Sequence, residues 1–316
     1  MTSCKRLKTI SFFCLTLFTS CNRVGTEHLE PEFCFTASDL YINNLPAPFR
    51  PLNEEEKHTN WGREYTIGLA FARELDLYRA ITAFKRAEIM IDKALLERKR
   101  EVQYNILLSY YLGKRYEEVI ETFNHSLLRQ INEHFPVYND LLLILYESHL
   151  AVEDHTAATL LLEHIRQNNP ELEKKLTLSH SIKTANFKEL NQNRDLPFVD
   201  ELLTCYCPCQ KSIARAELYN MLIPGAGYLY VGQKQSAVTA FFLNALFIGA
   251  STYFFLDGNI AAGAIFASFE AGWYFGGIYG AGEAAKLYNE RIYETCAGPL
   301  MKKHRLYPLL SLRYGF

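Results

Sequence analysis

The sequence predicts an all-α chain in which an array of helical repeats is followed by a membrane-embedded helical hairpin. Three observations carry that expectation. Small and aromatic residues recur at a fixed interval of 39 residues between Glu54 and Pro170. Ala237 to Leu256 is an apolar run without a charge; after a tight Asp257-Gly258-Asn259 turn, Ile260 to Ala281 is a second, broken only by Glu270. Pro224-Gly225-Ala226-Gly227, which cannot continue a regular helix, stands ahead of both.

Composition sets the bounds. The 316 residues leave room for two domains and linkers. With 49% hydrophobic residues, 20 Tyr and 21 Phe, there is ample material for a large core. The mean hydropathy of -0.10 averages a polar middle with a very apolar later part. A net charge of -2 gives no ground for a nucleic-acid partner.

Residues 1–20 read as a signal peptide. Lys5, Arg6 and Lys8 precede the apolar run Ile10 to Phe18, which falls short of the roughly 20 apolar residues a bilayer crossing needs. The run closes on Leu17-Phe18-Thr19-Ser20-Cys21, which resembles a bacterial lipobox. That resemblance implies cleavage before Cys21 and its acylation, so that acyl chains hold the mature protein to a membrane. Residues 21–53 are then a lipid anchor and a linker containing Leu45-Pro46-Ala47-Pro48-Phe49-Arg50-Pro51. With Cys4 and Cys14 removed and Cys21 acylated, Cys34, Cys205, Cys207, Cys209 and Cys296 remain, an odd set for an oxidising compartment.

Residues 54–170 hold three repeats. Ala80, Val119 and Ala158 share the 39-residue interval, as do Phe84, Phe123 and Leu162, and Leu77, Tyr116 and His155. Within the units the order is Gly68, Phe71, Ala80, Phe84, Ala87; then Leu107, Tyr110, Val119, Phe123, Ser126; then Tyr146, His149, Ala158, Leu162, Ile165, closing on Pro170. Small residues let paired helices approach and the larger ones fill the space between them. One pair cannot bury its apolar face alone, so neighbours stack. This spacing resembles the tetratricopeptide repeat. The resemblance implies a concave face with groove positions at Tyr65, Leu69 and Arg73, then Tyr104, Leu108 and Tyr111, then Leu143 and Glu147. Three tyrosines on one face suit an extended or helical peptide. Packing of the same side chains against the N-terminal segment or a capping helix is the equal alternative.

Residues 171–211 read as a polar capping helix over Glu171 to Asn193, a turn at Asn191 to Arg194, and a cysteine-rich connector. Residues 212–292 form the hairpin region. Each apolar run is long enough to cross the hydrocarbon at about 1.5 Å per residue. Gly263, Ala267 and Ala271, then Gly276, Gly280 and Ala284, place small residues at a spacing of four, where helices in lipid make close contact. The pattern Pro224-Gly225-x-Gly227-x-x-Tyr230-x-Gly232, with Asn244-x-Leu246-Phe247 and Glu270-x-Gly272-Trp273-Tyr274-x-Gly276, resembles an uncharacterised bacterial membrane hairpin domain. Its first part is also similar to the TM2-type domains. The break ahead of the hairpin is expected to be re-entrant, its freed backbone groups covered by the hairpin. Asn244 and Glu270 are polar groups at membrane depth, expected to pair with each other or, as the sharper alternative, to form part of an ion path. Lys286, Arg291 and Lys302-Lys303-His304-Arg305 follow the hairpin. By the positive-inside tendency they belong in the cytoplasm, in conflict with a two-crossing hairpin behind a lipidated Cys21. A third crossing by Leu218 to Val231 would reconcile the two. Residues 293–316 are a C-terminal tail, within which Leu306 to Phe316 reads as a short edge strand or simply as tail.

Motifs for chemistry are missing. Cys205-x-Cys207-Pro208-Cys209 lacks the second half of a zinc site and is not a Cys-x-x-Cys redox motif. No His-Glu-x-x-His helix or Gly-x-Ser-x-Gly elbow occurs. A disulfide is expected between Cys296 and one of Cys205, Cys207 or Cys209, which lie on either side of the hairpin. The expectation is a non-enzymatic scaffold of the bacterial cell envelope with periplasmic repeats. It would have no cofactor or metal, a protein or peptide partner and a membrane lipid surface. The alternative is a small component of a transport or protein-insertion machinery in which the hairpin is active.

Overall fold

A computed structural model of the chain describes residues 28–33, 41–42 and 44–316. The expected signal peptide, Cys21 and Cys34 lie outside the described residues. Among those described there are 14 α-helices and no strand, as the helical periodicity requires. Two compact units result: one of residues 33–183 and 298–316, the other of residues 28–32 and 184–297.

Local sequence starts the helices of the first unit. Asn53 and Glu56 form a reciprocal capping box at α1 (Glu54–His58), and Thr59 accepts from Gly62 N to open α2 (Asn60–Arg73). Asp76 caps α3 (Leu77–Met90). The pairs α4 (Leu96–Leu112) with α5 (Tyr116–Asn124), and α6 (Tyr138–Ala151) with α7 (His155–Asn168), follow. Each pair turns through one left-handed residue, Leu75, Lys114 or Glu153. At each turn the next N–H reaches back five residues: Asp76 N to Phe71 O, Arg115 N to Tyr110 O, Asp154 N to His149 O, all 2.9 Å. This closure satisfies carbonyls that a helix end would otherwise leave bare. The turns stand 39 residues apart, the interval of the sequence columns. Gly68 shows why a small residue is needed there: a Cβ would sit 2.5 Å from the Phe84 ring.

Three expectations need correcting. The capping helix is not continuous, because α8 (Pro170–Lys183) ends before a left-handed Ala185, and Asn186 caps a new helix, α9 (Phe187–Gln192). The proline-rich stretch is not a free linker, since Leu45, Phe49 and Leu52 pack on the core of the array. The end of the chain forms a 3-10 turn (Pro308–Ser311) and an extended segment with Leu312 and Phe316 buried in that core, so the edge-strand reading fails.

The second unit contains α9, α10 (Pro197–Tyr206), α11 (Ile213–Leu222), α12 (Ala226–Tyr230), α13 (Lys234–Leu256) and α14 (Ile260–Lys303) as far as Ala297. Cys205 is disulfide-bonded to Cys296, with Cα atoms 6.0 Å apart, while Cys207 and Cys209 are free and exposed. Phe187 stacks on Tyr206 and Tyr293 meets both rings edge-on, with centroids 5.3 to 5.7 Å apart. Ser251 Oγ donates to Gly263 O and fixes the register of α13 against α14. Many large side chains of this hairpin point outward, including Phe242, Leu246, Tyr253, Leu256, Phe269 and Trp273. Among the described residues one helix, α13, is long and apolar enough to cross a membrane. The expected second span is less apolar, diluted by glycines, tyrosines and Glu270.

Candidate functional site

The face expected to be a groove is built from α2, α4 and α6. The inner helices are submerged along most of their length: Val102 to Tyr111 of α4 and Leu141 to Tyr146 of α6 are buried. Of the expected groove residues, Tyr104, Leu108, Tyr111 and Leu143 are buried, and Glu147 is half-buried with its Oε2 accepting from Lys183 Nζ at 2.9 Å. The chain itself covers them. Phe49 packs edge-on to Tyr104 with centroids 5.9 Å apart, and Tyr111 packs against Tyr116. Of the two readings that the sequence left open, an open concave face and one packed over by the chain's own segments, these side chains of the second and third repeats follow the latter. Prolines 46, 48 and 51 keep the covering segment extended, and its Leu and Phe side chains find apolar surface there.

The first-unit end stays open. A cavity of about 720 Å³ is lined by Tyr65, Leu69 and Arg73, the three expected positions of that unit, together with Arg50, Lys57, Arg63, Glu101, Asn105 and Phe316. Arg50 pairs with Glu56 and Lys57 with Glu54; Arg63 and Arg73 have no ion pair among the described residues. Its floor is a buried polar network. Arg98 spans Glu56 with two bonds of 2.9 and 2.8 Å, Glu101 Oε2 at 2.7 Å, and the carbonyls of Arg50 and Pro51. Tyr65 donates to Glu101 Oε1 and accepts from Asn105 Nδ2. Burial raises the Glu101 carboxyl, with Tyr65 and Arg98 pulling it back, whereas the Arg98 guanidinium holds Glu56 below the usual range.

The second anchor is Asp140, buried at the start of α6. Its Oδ2 accepts from the backbone N–H groups of both Arg313 and Tyr314 at 3.0 Å. Burial pushes this carboxyl up to about 6 despite those two bonds. Gly315 N then donates to Pro46 O at 3.2 Å, and the Phe316 ring stacks on Phe84 at 6.4 Å. Sequence reading missed Asp140, Arg98 and Glu101. Asp140 carried a signal, since it stands directly before a run of Leu and Ile and a buried charge needs a partner. Arg98 and Glu101 lie in the charged run Glu97 to Glu101, where nothing marks them out from solvated neighbours.

In the second unit the Pro-Gly-Ala-Gly motif makes a corner. Gly225 adopts φ +93°, where any Cβ would lie 2.3 Å from Ala237 O, and its N–H donates to the buried Asn220 Oδ1 at 2.8 Å. Tyr274 OH donates to Met221 O, supplying a partner for a carbonyl freed at the end of α11. Asn289 brackets Lys211, accepting from its N–H and donating to its carbonyl, at 2.7 and 2.8 Å. Asn244 and Glu270 do not bond as expected. Asn244 Nδ2 donates to Ala240 O instead, and Asn244 Oδ1 and Glu270 Oε2 are buried without partners. Each lies seven residues along its arm from the Ser251–Gly263 bond, so the register sets them level on facing helices.

No protein-family model, curated protein or solved structure matches the chain. Among the described residues no group of three or more His, Cys, Asp or Glu side chains is placed to hold a metal ion. His149 and His164 are engaged locally, by Asp154 and Tyr138.

Proposed function

We propose that the chain is a non-enzymatic scaffold of the bacterial envelope, whose tetratricopeptide-like repeats bind a protein or peptide partner while acyl chains on Cys21 and the hairpin hold it to a membrane. The observation that carries the reading is the outward-facing apolar surface of α13 and the first half of α14. Patches beyond a few hundred Å² on soluble chains mark interaction or membrane sites. Here the surface coincides with the one helix among the described residues that is long and apolar enough to cross a membrane. The Cys205–Cys296 disulfide supports an oxidising compartment for the residues around it. The cavity at Tyr65, Leu69 and Arg73 supports a binding role, and its unpaired Arg63 and Arg73 favour an acidic partner.

The test has two arms. The protein should float with vesicles and resist carbonate extraction, and a photo-crosslinker at Leu69 should capture a partner that Arg73→Glu abolishes. Release into carbonate removes the membrane half; unchanged capture with Arg73→Glu removes the binding half. The rival reading, a transport or insertion component, draws support from the two unpartnered oxygens of Asn244 and Glu270 on facing helices.

A further inference from the structure

We infer that the groove of the array is a receptor for an extended peptide of the type Tyr-Gly-Phe followed by an acidic residue, and that Leu312–Phe316 fills it in cis. The inference rests on the binding role proposed above and names the class of ligand.

The contacts of this segment are those of a bound peptide. It belongs to no helix, and it is held through backbone donors: Arg313 and Tyr314 to Asp140, Gly315 to Pro46. Backbone bonds hold an extended chain of any sequence, and side-chain fits then select among them. Two such fits are present. At Gly315 a Cβ would stand 2.5 Å from Ile42 O, so only glycine passes. Beyond it the Phe316 ring is buried against Phe84. Asp140 is itself unusual for a structural residue. It is a carboxylate in an apolar setting whose hydrogen bonds come from this segment, and such a group is costly unless something supplies donors. The cavity that Phe316 lines is lined also by Arg63 and Arg73, neither in an ion pair among the described residues, and this positive charge beside the segment is what favours an acidic residue in the ligand.

The experiment uses the full chain in detergent and two labelled peptides, Leu-Arg-Tyr-Gly-Phe amide and the same sequence extended by Asp-Asp. Fluorescence anisotropy is read on the unsubstituted chain and on Gly315→Ala, which loosens the resident segment. Gly315→Ala should bind at least tenfold more tightly. Adding Asp140→Ala should cut that binding at least tenfold, whereas Asp140→Asn, which keeps an acceptor oxygen, should not. The extended peptide should bind better, and Arg63→Glu should erase its advantage. No binding to Gly315→Ala overturns the inference. So does loss of helical circular dichroism in that variant, because the segment would then be a part of the fold. If the peptides fail while Leu69 still captures a partner, the scaffold reading survives without this ligand.

Discussion

Asp140 Oδ2 accepts the backbone N–H of Tyr314 at 3.0 Å, across 174 positions of sequence. The carboxylate is almost fully buried, and that burial raises it to about 6 although the N–H groups of Arg313 and Tyr314 favour its charged form. In the unfolded chain an aspartate titrates near 3.9, so the folded array holds the proton more tightly between roughly pH 4 and 6. The stability this group confers is full below about pH 4 and is lost as pH rises through 6, a difference of about 3 kcal/mol. Asp140→Asn removes the titration and keeps an acceptor. Urea unfolding at pH 4.5 and 7.5 should show the native chain losing stability relative to the Asn variant as pH rises. Equal pH dependence in both would falsify the assignment.

How far the sequence spoke depended on what each feature repeats. The helix pairs were legible because Ala80, Val119 and Ala158 sit at one interval, and the left-handed turns at Leu75, Lys114 and Glu153 keep it. The break at Gly225 was legible because proline and glycine leave few backbone choices. The closure of the groove was legible only as one of two equal alternatives, packing against the N-terminal segment, which Phe49 on Tyr104 represents. The contact of Phe316 with Phe84 was not legible, because neither periodicity nor propensity encodes a pairing from so far along the chain. The expected hydrogen bond between Asn244 and Glu270 does not form, because side-chain direction decides such bonds and Asn244 turns to Ala240.

Arg98 gathers five bonds from two carboxylates and two carbonyls, and so ties the proline-rich segment to α4. Removing it would leave Glu101 buried and uncompensated, which typically costs 3–5 kcal/mol (roughly). Arg98→Ala should therefore lower the unfolding midpoint of the array steeply. Arg98→Lys should recover little, because an ammonium lacks the planar fork that spans Glu56. A loss below about 1 kcal/mol for Arg98→Ala, measured by urea unfolding, would show that the segment is held by its Leu and Phe contacts alone.

The disulfide joins cysteines 91 positions apart. By loop-closure entropy such a link stabilises a chain by about 4–5 kcal/mol. Peptide mapping without reductant should recover Cys205 linked to Cys296, with Cys207 and Cys209 open to alkylation. Cys296→Ser should lower the melting temperature of the detergent-solubilised protein. All four thiols alkylated in membrane-extracted protein would place this region in a reducing compartment and count against the envelope address.

Glu270 separates the two readings of the hairpin, because Asn244 Oδ1 and Glu270 Oε2 face one another's level with no donor between them. Two acceptors in apolar surroundings are unfavourable unless a proton, an ion or a water lies between them. Glu270→Gln supplies N–H donors of its own and cannot carry charge. Under the scaffold reading it should leave partner capture at Leu69 unchanged and raise the thermal stability of the hairpin unit, since a buried acceptor without a partner is replaced by a group that can donate. Under the transport reading it should abolish function with capture intact, because the ionisable group is lost. Tyr104 and Tyr111 are buried, so substituting either would damage the array and report nothing on a partner. Leu69→Asp is the appropriate partner variant, half-exposed at the cavity. Function that fails with Glu270→Gln yet survives Leu69→Asp puts the activity in the hairpin and makes the repeats a dock; the opposite pattern puts it in the repeats.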